Sequence, residues 1–146
     1  MDKLEELAAR VAIGELKARY FRAVDTKDWD AFEALFEEDA TLAPVDDLPG
    51  VVFRGRAEIR AGVANSLENV TTVHFGHMPE VRFENPDQAQ GIWSMEDELF
   101  FPEGSSSTVA YVHGYGHYHE RYRRVAGEWR FLSVELRRLR VETRSR

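Results

Sequence analysis

The order of two hydrophobic periodicities constrains the fold of this chain more than any other feature. Over the first 24 residues, apolar side chains recur every three or four positions, which is the spacing of one helix face. From residue 71 onward the chain consists of long strand-like segments broken by "NPDQ", "PEGSSS" and "AGE". Helices followed by a long antiparallel meander predict an α+β fold, with three helices on one face of a curved sheet. Such a sheet curls around its helices and leaves a pocket at its open end.

Three helices and one short strand are predicted before the meander. The first helix extends to Val24, and the second begins at the N-cap Asp28, with Asp30 in its first turn. The apolar side chains that the second helix presents are Trp29, Phe32, Leu35 and Phe36. The stretch "PVDDLPG" is a predicted loop, "VVF" a short strand, and "RGRAEIRAGVANSLEN" a turn followed by the third helix.

Composition excludes several classes of function. A chain of 146 residues is long enough for one domain, covering residues 1–146, with a real core. Its net charge of −7 argues against a nucleic-acid or anionic membrane partner. Without cysteine there is no disulfide, thiol nucleophile or thiolate metal site. The acidic N-terminus has no apolar signal region and no apolar run approaches membrane-spanning length, so we expect a soluble cytoplasmic protein.

Asp25 lies on the apolar face of the first predicted helix. Phe21 precedes it by one turn, and Gly14 and Ala18 are on the same side. A buried carboxylate is unfavourable unless it is paired or used in chemistry. Asp25 therefore needs a partner inside the fold.

Strand parity places two further charges on apolar faces. The residues that share a face with Asp97 are Gly91, Trp93, Met95, Leu99 and Phe101. Arg138 continues the face formed by Leu132, Val134 and Leu136. Either Asp97 and Arg138 form a buried ion pair of little net stability, or they flank a ligand.

His74 is the candidate partner of Asp25. It shares a parity with Thr72, Gly76 and Met78, but parity alone does not identify which face of this strand is buried. A lone histidine on such a strand is more often a satisfied core residue than a catalyst. A carboxylate that reaches the imidazole fixes its tautomer and stabilises its charged form, and a His–Asp pair of this kind is a common general base.

One face of a later strand carries a stripe of ring side chains: His113, Tyr115, His117 and His119. Imidazoles two residues apart can chelate a metal, but no other ligand cluster supports such a site, and we predict none. Such a stripe is more often a polar outer face or a subunit contact. Gly114 and Gly116 have the opposite parity, so they face inward and make room for a ligand or a closely packed helix.

Four stretches of the chain together resemble one protein family. They are "IGELKARYFRAVDTKDWDAFEALFEEDATL", "TVHFGHMPEV", "GIWSMEDEL" and "HYHERYRRVAGEWRF". In this order they resemble the SnoaL-like family of the nuclear-transport-factor-like superfamily, over about residues 11–141. Within it the chain looks closest to the bile acid 7α-dehydratases, with scytalone dehydratase and the hexachlorocyclohexane dehydrochlorinase as more distant relatives. The resemblance implies a cone-shaped α+β barrel and an elimination reaction that needs no cofactor.

The resemblance also implies roles for individual residues. The Tyr-Phe-Arg-x-x-Asp motif falls on Tyr20 and Asp25, and the His-x-Gly-His-x-Pro-Glu stretch places the catalytic histidine on His74. The Trp-x-x-Glu-Asp stretch places a pocket aspartate on Asp97, and an arginine near the end of the last strand falls on Arg138. Parity picks out Asp97 and Arg138 independently.

By this resemblance we expect a lyase or isomerase acting on an apolar cyclic, steroid- or polyketide-like molecule. His74 would take a proton beside an electron-withdrawing group and deliver it to the leaving hydroxyl. Asp25 would hold the imidazole, Tyr20 would hydrogen-bond a carbonyl or enolate oxygen, and Asp97 would complete the polar end of the pocket. The expected substrate-binding residues are Arg138, Trp93, Met95, Tyr118 and Leu99. No cofactor and no metal are expected.

Some positions depart from the pattern of the resembled enzymes. Leu99 stands where scytalone dehydratase has a second pocket histidine, and Gly116 and Tyr118 replace its inward Ser and Asn. The chemistry can persist while the substrate differs. Two other classes stay open, a non-catalytic binder of hydrophobic ligands and a small structural subunit of a ring-hydroxylating dioxygenase. We also expect a homo-oligomer, trimer before dimer, formed through the face that carries the histidine stripe.

Overall fold

Three α-helices and a six-stranded sheet make up the fold, which confirms the predicted α+β class. The computed structural model describes residues 1–146. The helices are α1 (Lys3–Asp25), α2 (Trp29–Glu33) and α3 (Arg56–Ser66). The strands are β1 (Phe36–Pro44), β2 (Phe53–Arg54), β3 (Thr71–Asn85), β4 (Gln88–Phe100), β5 (Val109–Val125) and β6 (Glu128–Ser145). No helix is both long enough and apolar enough to span a bilayer.

The sheet has the strand order β2-β1-β6-β5-β4-β3. Strands β3 to β6 form the predicted antiparallel meander, whereas β1 pairs in parallel with β6. Strand β1 was not predicted from the sequence, and Phe36 was expected in the second helix. Helix α2 instead ends at Glu33, because the helix-like spacing of Phe32, Leu35 and Phe36 hides a change of direction into the strand. Phe36, Ala40 and Leu42 then face the core.

Helix α1 covers the concave face of the sheet because its apolar positions fall on one side. Its N-terminus carries a capping box, in which Asp2 and Glu5 each accept a hydrogen bond from the other's backbone at 2.8 Å. The fully or nearly fully buried apolar residues on its inner face include Ile13, Leu16, Tyr20 and Val24. The predicted N-cap Asp28 accepts a hydrogen bond from the Ala31 amide at 3.2 Å and starts α2.

Strand β3 is continuous, although the segments "TTVHFGHM" and "EVRFE" have the pattern of two separate strands. Its register against β4 shifts between His77 and Glu80, so the stretch around Pro79 is a bulge and does not end the strand. The inner face of its first half is the one with Thr72, His74 and Gly76, while Phe75 and His77 point outward. The parity that sequence alone left undecided is thereby settled.

Packing explains why one position on the inner face of β4 is a glycine. A Cβ on Gly91 would lie 2.6 Å from the hydroxyl oxygen of Tyr122 and 2.9 Å from its ring. Gly14, in the middle of α1, has nothing within 4 Å of the corresponding position. Alanine substitution at Gly91 therefore tests the effect of steric crowding on stability, whereas substitution at Gly14 tests the effect of backbone freedom alone.

We predict that Gly91→Ala destabilises the protein by about 1–3 kcal/mol, because the Tyr122 ring must move to accommodate the methyl group. Gly14→Ala is the matched control, and it should stabilise the helix by about 0.5–1 kcal/mol. Urea unfolding followed by circular dichroism measures both. Equal effects of the two substitutions would contradict the packing argument.

Candidate active site

A cavity of about 410 Å³ opens between α1, α3 and the concave face of the sheet. Nineteen residues line it, and 13 of them are hydrophobic. Its charged or titratable wall is small: Asp47, His74, Asp97 and Arg138, with the tyrosines Tyr20 and Tyr118 beside them. The volume lies within the range of pockets that hold small organic ligands.

Asp25 and His74 form the contact that the sequence predicted. Nδ1 of His74 lies 2.6 Å from Oδ1 of Asp25, and the His74 backbone amide donates to Oδ2 at 2.9 Å. The hydroxyl of Thr72 donates to Oδ1 at 2.9 Å, and Nζ of Lys27 donates to that hydroxyl at 3.0 Å. Because a carboxylate only accepts, Nδ1 carries the proton, and Nε2 of the neutral imidazole is left as the free base.

The electrostatics of Asp25 favour its ionised form. Partial burial acts to raise the pKa of this carboxyl, but the hydrogen bonds from the His74 ring, the His74 backbone and Thr72 outweigh it and lower the pKa. Asp25 is therefore a permanent negative charge at neutral pH. Such a charge holds the ring orientation and stabilises the imidazolium when Nε2 accepts a proton.

Asp97 and Arg138 form the second polar group of the cavity wall. Nη1 and Nη2 of Arg138 donate to the two carboxylate oxygens of Asp97 at 2.7 and 2.9 Å, and Asp97 is 3% exposed. Nε and Nη2 also donate to Asp47 at 3.1 and 3.0 Å. Burial acts to lower the pKa of Arg138, but the two carboxylates raise it further above its ordinary value. The two side chains form an ion pair, and both line the cavity; that they flank a ligand stays a prediction.

The space for this ion pair depends on Gly114. A Cβ at that position would collide with the Arg138 guanidinium and the Asp97 carboxylate. The inward glycine therefore makes room for side chains of the site, and not for a helix. Oδ2 of Asp97 lies 3.9 Å from Nε2 of His74, which is too long for a hydrogen bond but close enough to stabilise a charged imidazole.

The structure brings most of the predicted residues together. Tyr20, His74, Asp97, Leu99, Tyr118 and Arg138 all line the cavity, and Asp25 contacts His74 from behind. Trp93 and Met95 do not line it. Trp93 donates from Nε1 to the Tyr122 hydroxyl at 2.9 Å, and Met95 packs beneath Arg138 with its sulfur 3.9 Å from Nη1. Strand parity correctly predicted that Trp93 and Met95 are on the inner face of the sheet. It does not tell how far along the strand the cavity extends.

Two parts of the site region were not predicted from the sequence. Asp47 and Leu48 line the cavity from the loop between β1 and β2, which has no periodicity to interpret. Lys17 and Glu120 form a fully buried ion pair next to the cavity. Lys17 follows the buried Ile13 by one turn, and Glu120 shares the parity of Tyr118. Helix spacing and strand parity therefore did indicate that both side chains face the interior.

The histidine stripe lies on the convex face of the sheet, away from the cavity. Nε2 of His113 and of His77 lie 3.0 and 2.8 Å from the two oxygens of Glu96. These contacts lower the pKa of the Glu96 carboxyl, most strongly through the hydrogen bond from His77. His117 and His119 are neighbours on the same face. None of these five residues borders the cavity.

The protein has helices packed on a strongly curved sheet, with a ligand-sized cavity between the helices and the sheet. This arrangement defines the class of cone-shaped α+β proteins. The family model of the SnoaL-like domain matches residues 5–135. The chain therefore belongs to the SnoaL-like family, as its motifs indicated.

Individual relatives match nearly the whole chain. "Probable cyclase FGR4" of Gibberella zeae is 27% identical over 141 residues, which cover 90% of this chain and 91% of that protein. A candidate scytalone dehydratase from Novosphingobium aromaticivorans superimposes with a TM-score of 0.87 at 18% identity, over 99% of this chain and 93% of the other. A hexachlorocyclohexane dehydrochlorinase (LinA) Type2 superimposes with a TM-score of 0.84 at 20% identity, over 99% of this chain and 94% of the other. At such identities the solved structures establish the fold.

We predict that the Asp25 hydrogen bonds make stability fall in acid. The pKa of the Asp25 carboxyl in the folded state is below its ordinary value of 3.8. The contribution of Asp25 to the free energy of unfolding is therefore complete above pH 3.8, and it is lost as the pH falls through the folded-state pKa. Urea unfolding between about pH 2.5 and 6 should show a smaller decline for Asp25→Asn than for the wild type. The control is Asp39→Asn, which removes a carboxylate that is 70% exposed and should leave the decline unchanged. A parallel decline in Asp25→Asn and the wild type would contradict the assignment.

Proposed function

We propose that this protein is a cofactor-independent lyase, of the dehydratase type, or an isomerase that acts on an apolar cyclic, steroid- or polyketide-like small molecule. The observation that carries the proposal is the 2.6 Å contact between Nδ1 of His74 and Asp25, which leaves Nε2 as a base at the wall of an apolar cavity. The names of related proteins, a probable cyclase, a dehydrochlorinase and a candidate scytalone dehydratase, support conversion of small molecules.

In the proposed elimination, Nε2 of His74 removes a proton from the carbon next to an electron-withdrawing group. The electron pair of the broken C–H bond forms the new C=C bond, and the C–O bond to the hydroxyl breaks. The proton on Nε2 passes to the departing hydroxyl, which leaves as water, and the imidazole returns to its neutral form. In an isomerisation the same proton returns to another carbon. General acid–base catalysis of this kind contributes about 10²–10⁴-fold in rate.

Three wall residues complete the proposed mechanism. Burial raises the pKa of Tyr20, so its hydroxyl stays protonated and can donate to a carbonyl or enolate oxygen. Asp97, 3.9 Å from Nε2, stabilises the imidazolium that forms after proton removal. Arg138 holds Asp97 in place through two hydrogen bonds. Tyr118 and Leu99 contribute apolar wall.

The charge of the wall favours a neutral substrate. Arg138 is the only lysine or arginine that lines the cavity, and its guanidinium already pairs with Asp97 and Asp47. No positive charge is left to balance an anionic group on a ligand, and burying such a group unpaired is unfavourable. A cavity of about 410 Å³ is within the size range of pockets that bind small organic molecules, which fits a small fused-ring molecule.

A binding protein without chemistry is the second candidate function. The largely apolar lining of the cavity favours it, because such a lining binds a hydrophobic ligand whether or not His74 reacts. A small structural subunit of a larger oxygenase is the third, and it requires a partner chain that copurifies.

We propose a homo-oligomer, trimer before dimer, assembled through the convex face of the sheet. Exposed apolar side chains on or beside that face include Phe75, Ile92 and Leu139, around the His77–Glu96–His113 group. Light scattering at micromolar concentration should give a mass of three chains. Acid should weaken the assembly as the histidines become charged. A monomer at neutral pH would contradict this proposal.

Two substitutions separate the enzyme from the binder. His74→Gln and Asp25→Asn preserve size, so the fold should survive. His74→Gln should abolish elimination by removing the base, whereas Asp25→Asn should convert the same substrate slowly because it removes only the orienting group. The double variant should be no worse than His74→Gln alone, because the pair acts as a unit. Ligand affinity should change far less than rate.

The assay is single-turnover kinetics on cyclic β-hydroxy ketones and steroid-like enones, with binding measured in parallel. His77→Gln is the matched control, since it makes the same change on the same strand but on the convex face. The panel must include a compound that the wild type binds. If the wild type binds such a compound tightly but converts none, and His74→Gln binds it equally well, the binding-protein function replaces the enzyme.

A further inference from the structure

A fully buried ion pair lies behind the cavity wall. Nζ of Lys17, on α1, contacts Oε1 of Glu120, on β5, and both side chains are 0% exposed. Neither residue lines the cavity. The proposed mechanism uses neither of them, although they are two of the four buried polar or charged side chains in the protein.

Both carboxylate oxygens of Glu120 have hydrogen-bond partners. The second carboxylate oxygen of Glu120 accepts a hydrogen bond from the Tyr122 hydroxyl. The same hydroxyl accepts from Nε1 of Trp93 at 2.9 Å, and Gly91 leaves the space in which it sits. A connected network of this kind favours one arrangement of side chains, because breaking any of its hydrogen bonds leaves a buried group unpaired.

The cation of this pair lies against the two tyrosines of the cavity. Nζ of Lys17 is 3.5 Å from the ring centroid of Tyr118 and 4.0 Å from that of Tyr20. The two rings meet edge to face, with centroids 6.0 Å apart. A desolvated ammonium over an aromatic face is among the stronger cation–π contacts, and here one ammonium contacts both rings.

Stability alone does not explain why a lysine occupies this position. A buried ion pair gives little net stability, since desolvation offsets the attraction, and well-packed apolar residues are often as stable. Burial lowers the pKa of Lys17 to about 8, against the attraction of Glu120, so the side chain carries its charge at neutral pH. A charged group is thus maintained at the one place where it contacts both tyrosine rings.

We infer that Lys17 and Glu120 are positioning residues, which hold the rings of Tyr20 and Tyr118 in place from behind the cavity wall. Glu120 fixes the ammonium, the ammonium fixes the two rings, and the rings form a rigid part of the cavity wall to which His74 also belongs. The catalytic consequence rests on the proposed function, whereas the restraint of the rings does not. Rigid wall groups matter most when they must meet charge that develops during a reaction.

The restraint is measurable without any substrate. With tyrosine labelled with ¹³C in the ring, NMR line shapes report the ring-flip rates of all five tyrosines, assigned by single Tyr→Phe substitutions. The variant Lys17→Met/Glu120→Gln keeps size, removes both charges and retains an acceptor for Tyr122. We expect the rings of Tyr20 and Tyr118 to flip at least tenfold faster in it. Tyr111 and Tyr115, on the convex face, should not change.

The matched control is Tyr122→Phe. It removes a hydrogen bond from the same network on the side away from the cavity, and it leaves the ammonium against the two rings. If this control accelerates the flips as much as the double variant, or if the double variant leaves the flip rates unchanged, the inference is overturned. If the double variant does not fold, Glu120→Gln replaces it, because a buried lysine without a counter-charge becomes neutral and no longer holds the rings as a cation.

Kinetics then test the consequence for catalysis. On any substrate that the wild type converts, the double variant should lower kcat about 10- to 100-fold with KM nearly unchanged, because an interaction made mainly in the transition state is lost. Tyr122→Phe should retain kcat. Unchanged kcat with faster ring flips would remove the catalytic consequence. If the wild type converts nothing, the proposed function fails, while the NMR result still decides the positioning role.

Discussion

The carboxylate of Asp25 is the interaction on which the site depends. It lies at the C-terminal end of α1, where the helix dipole is unfavourable for a negative charge, so it needs donors from outside the helix. The ring and backbone of His74 and the hydroxyl of Thr72 supply three. These bonds join the end of the helix to the first strand of the meander. The same contact that anchors α1 therefore sets the orientation of the imidazole.

Two buried ion pairs lie at or behind the cavity wall, and the surroundings of each depend on space that a glycine leaves. Gly114 leaves space for Arg138 and Asp97 at the cavity wall. In the core, Gly91 leaves space for the Tyr122 hydroxyl that completes the Lys17–Glu120 network. Buried charges of this kind add little net stability, so they are better explained by the geometry that they impose. Around them the cavity is mostly apolar, which strengthens each electrostatic contact inside it.

Much of this arrangement could be predicted from the sequence, because it follows from two simple periodicities. Helix spacing placed Asp25 on a buried face, strand parity placed Asp97 and Arg138 inward, and the family motifs placed His74 opposite Asp25. The meander and its antiparallel order followed from the long alternating segments. The position of His74 followed from the resemblance to the family, whereas each of the other features depends on local spacing along one element.

The features that could not be predicted depend on tertiary structure. Strand β1 was missed because its parallel pairing with β6 leaves no turn signal nearby, and Phe32, Leu35 and Phe36 have helical spacing. Trp93 and Met95 lie below the cavity, since parity gives the side of a sheet but not the distance from its open end. Lys17 was overlooked although its position on the α1 face was evident from Ile13. A lysine at an apolar helix position is usually a solvated residue, and only its partner Glu120 on β5 shows otherwise.

The central claim is that Asp25 fixes His74 as a base with its free nitrogen toward the cavity. Long-range ¹⁵N–¹H NMR of the imidazole, at a pH where the ring is neutral, tests it without any ligand. The account predicts that Nδ1 carries the proton and Nε2 has the shift of an unprotonated nitrogen, and that Asp25→Asn loses this preference. A neutral His74 with its proton on Nε2 in the wild type would contradict the account.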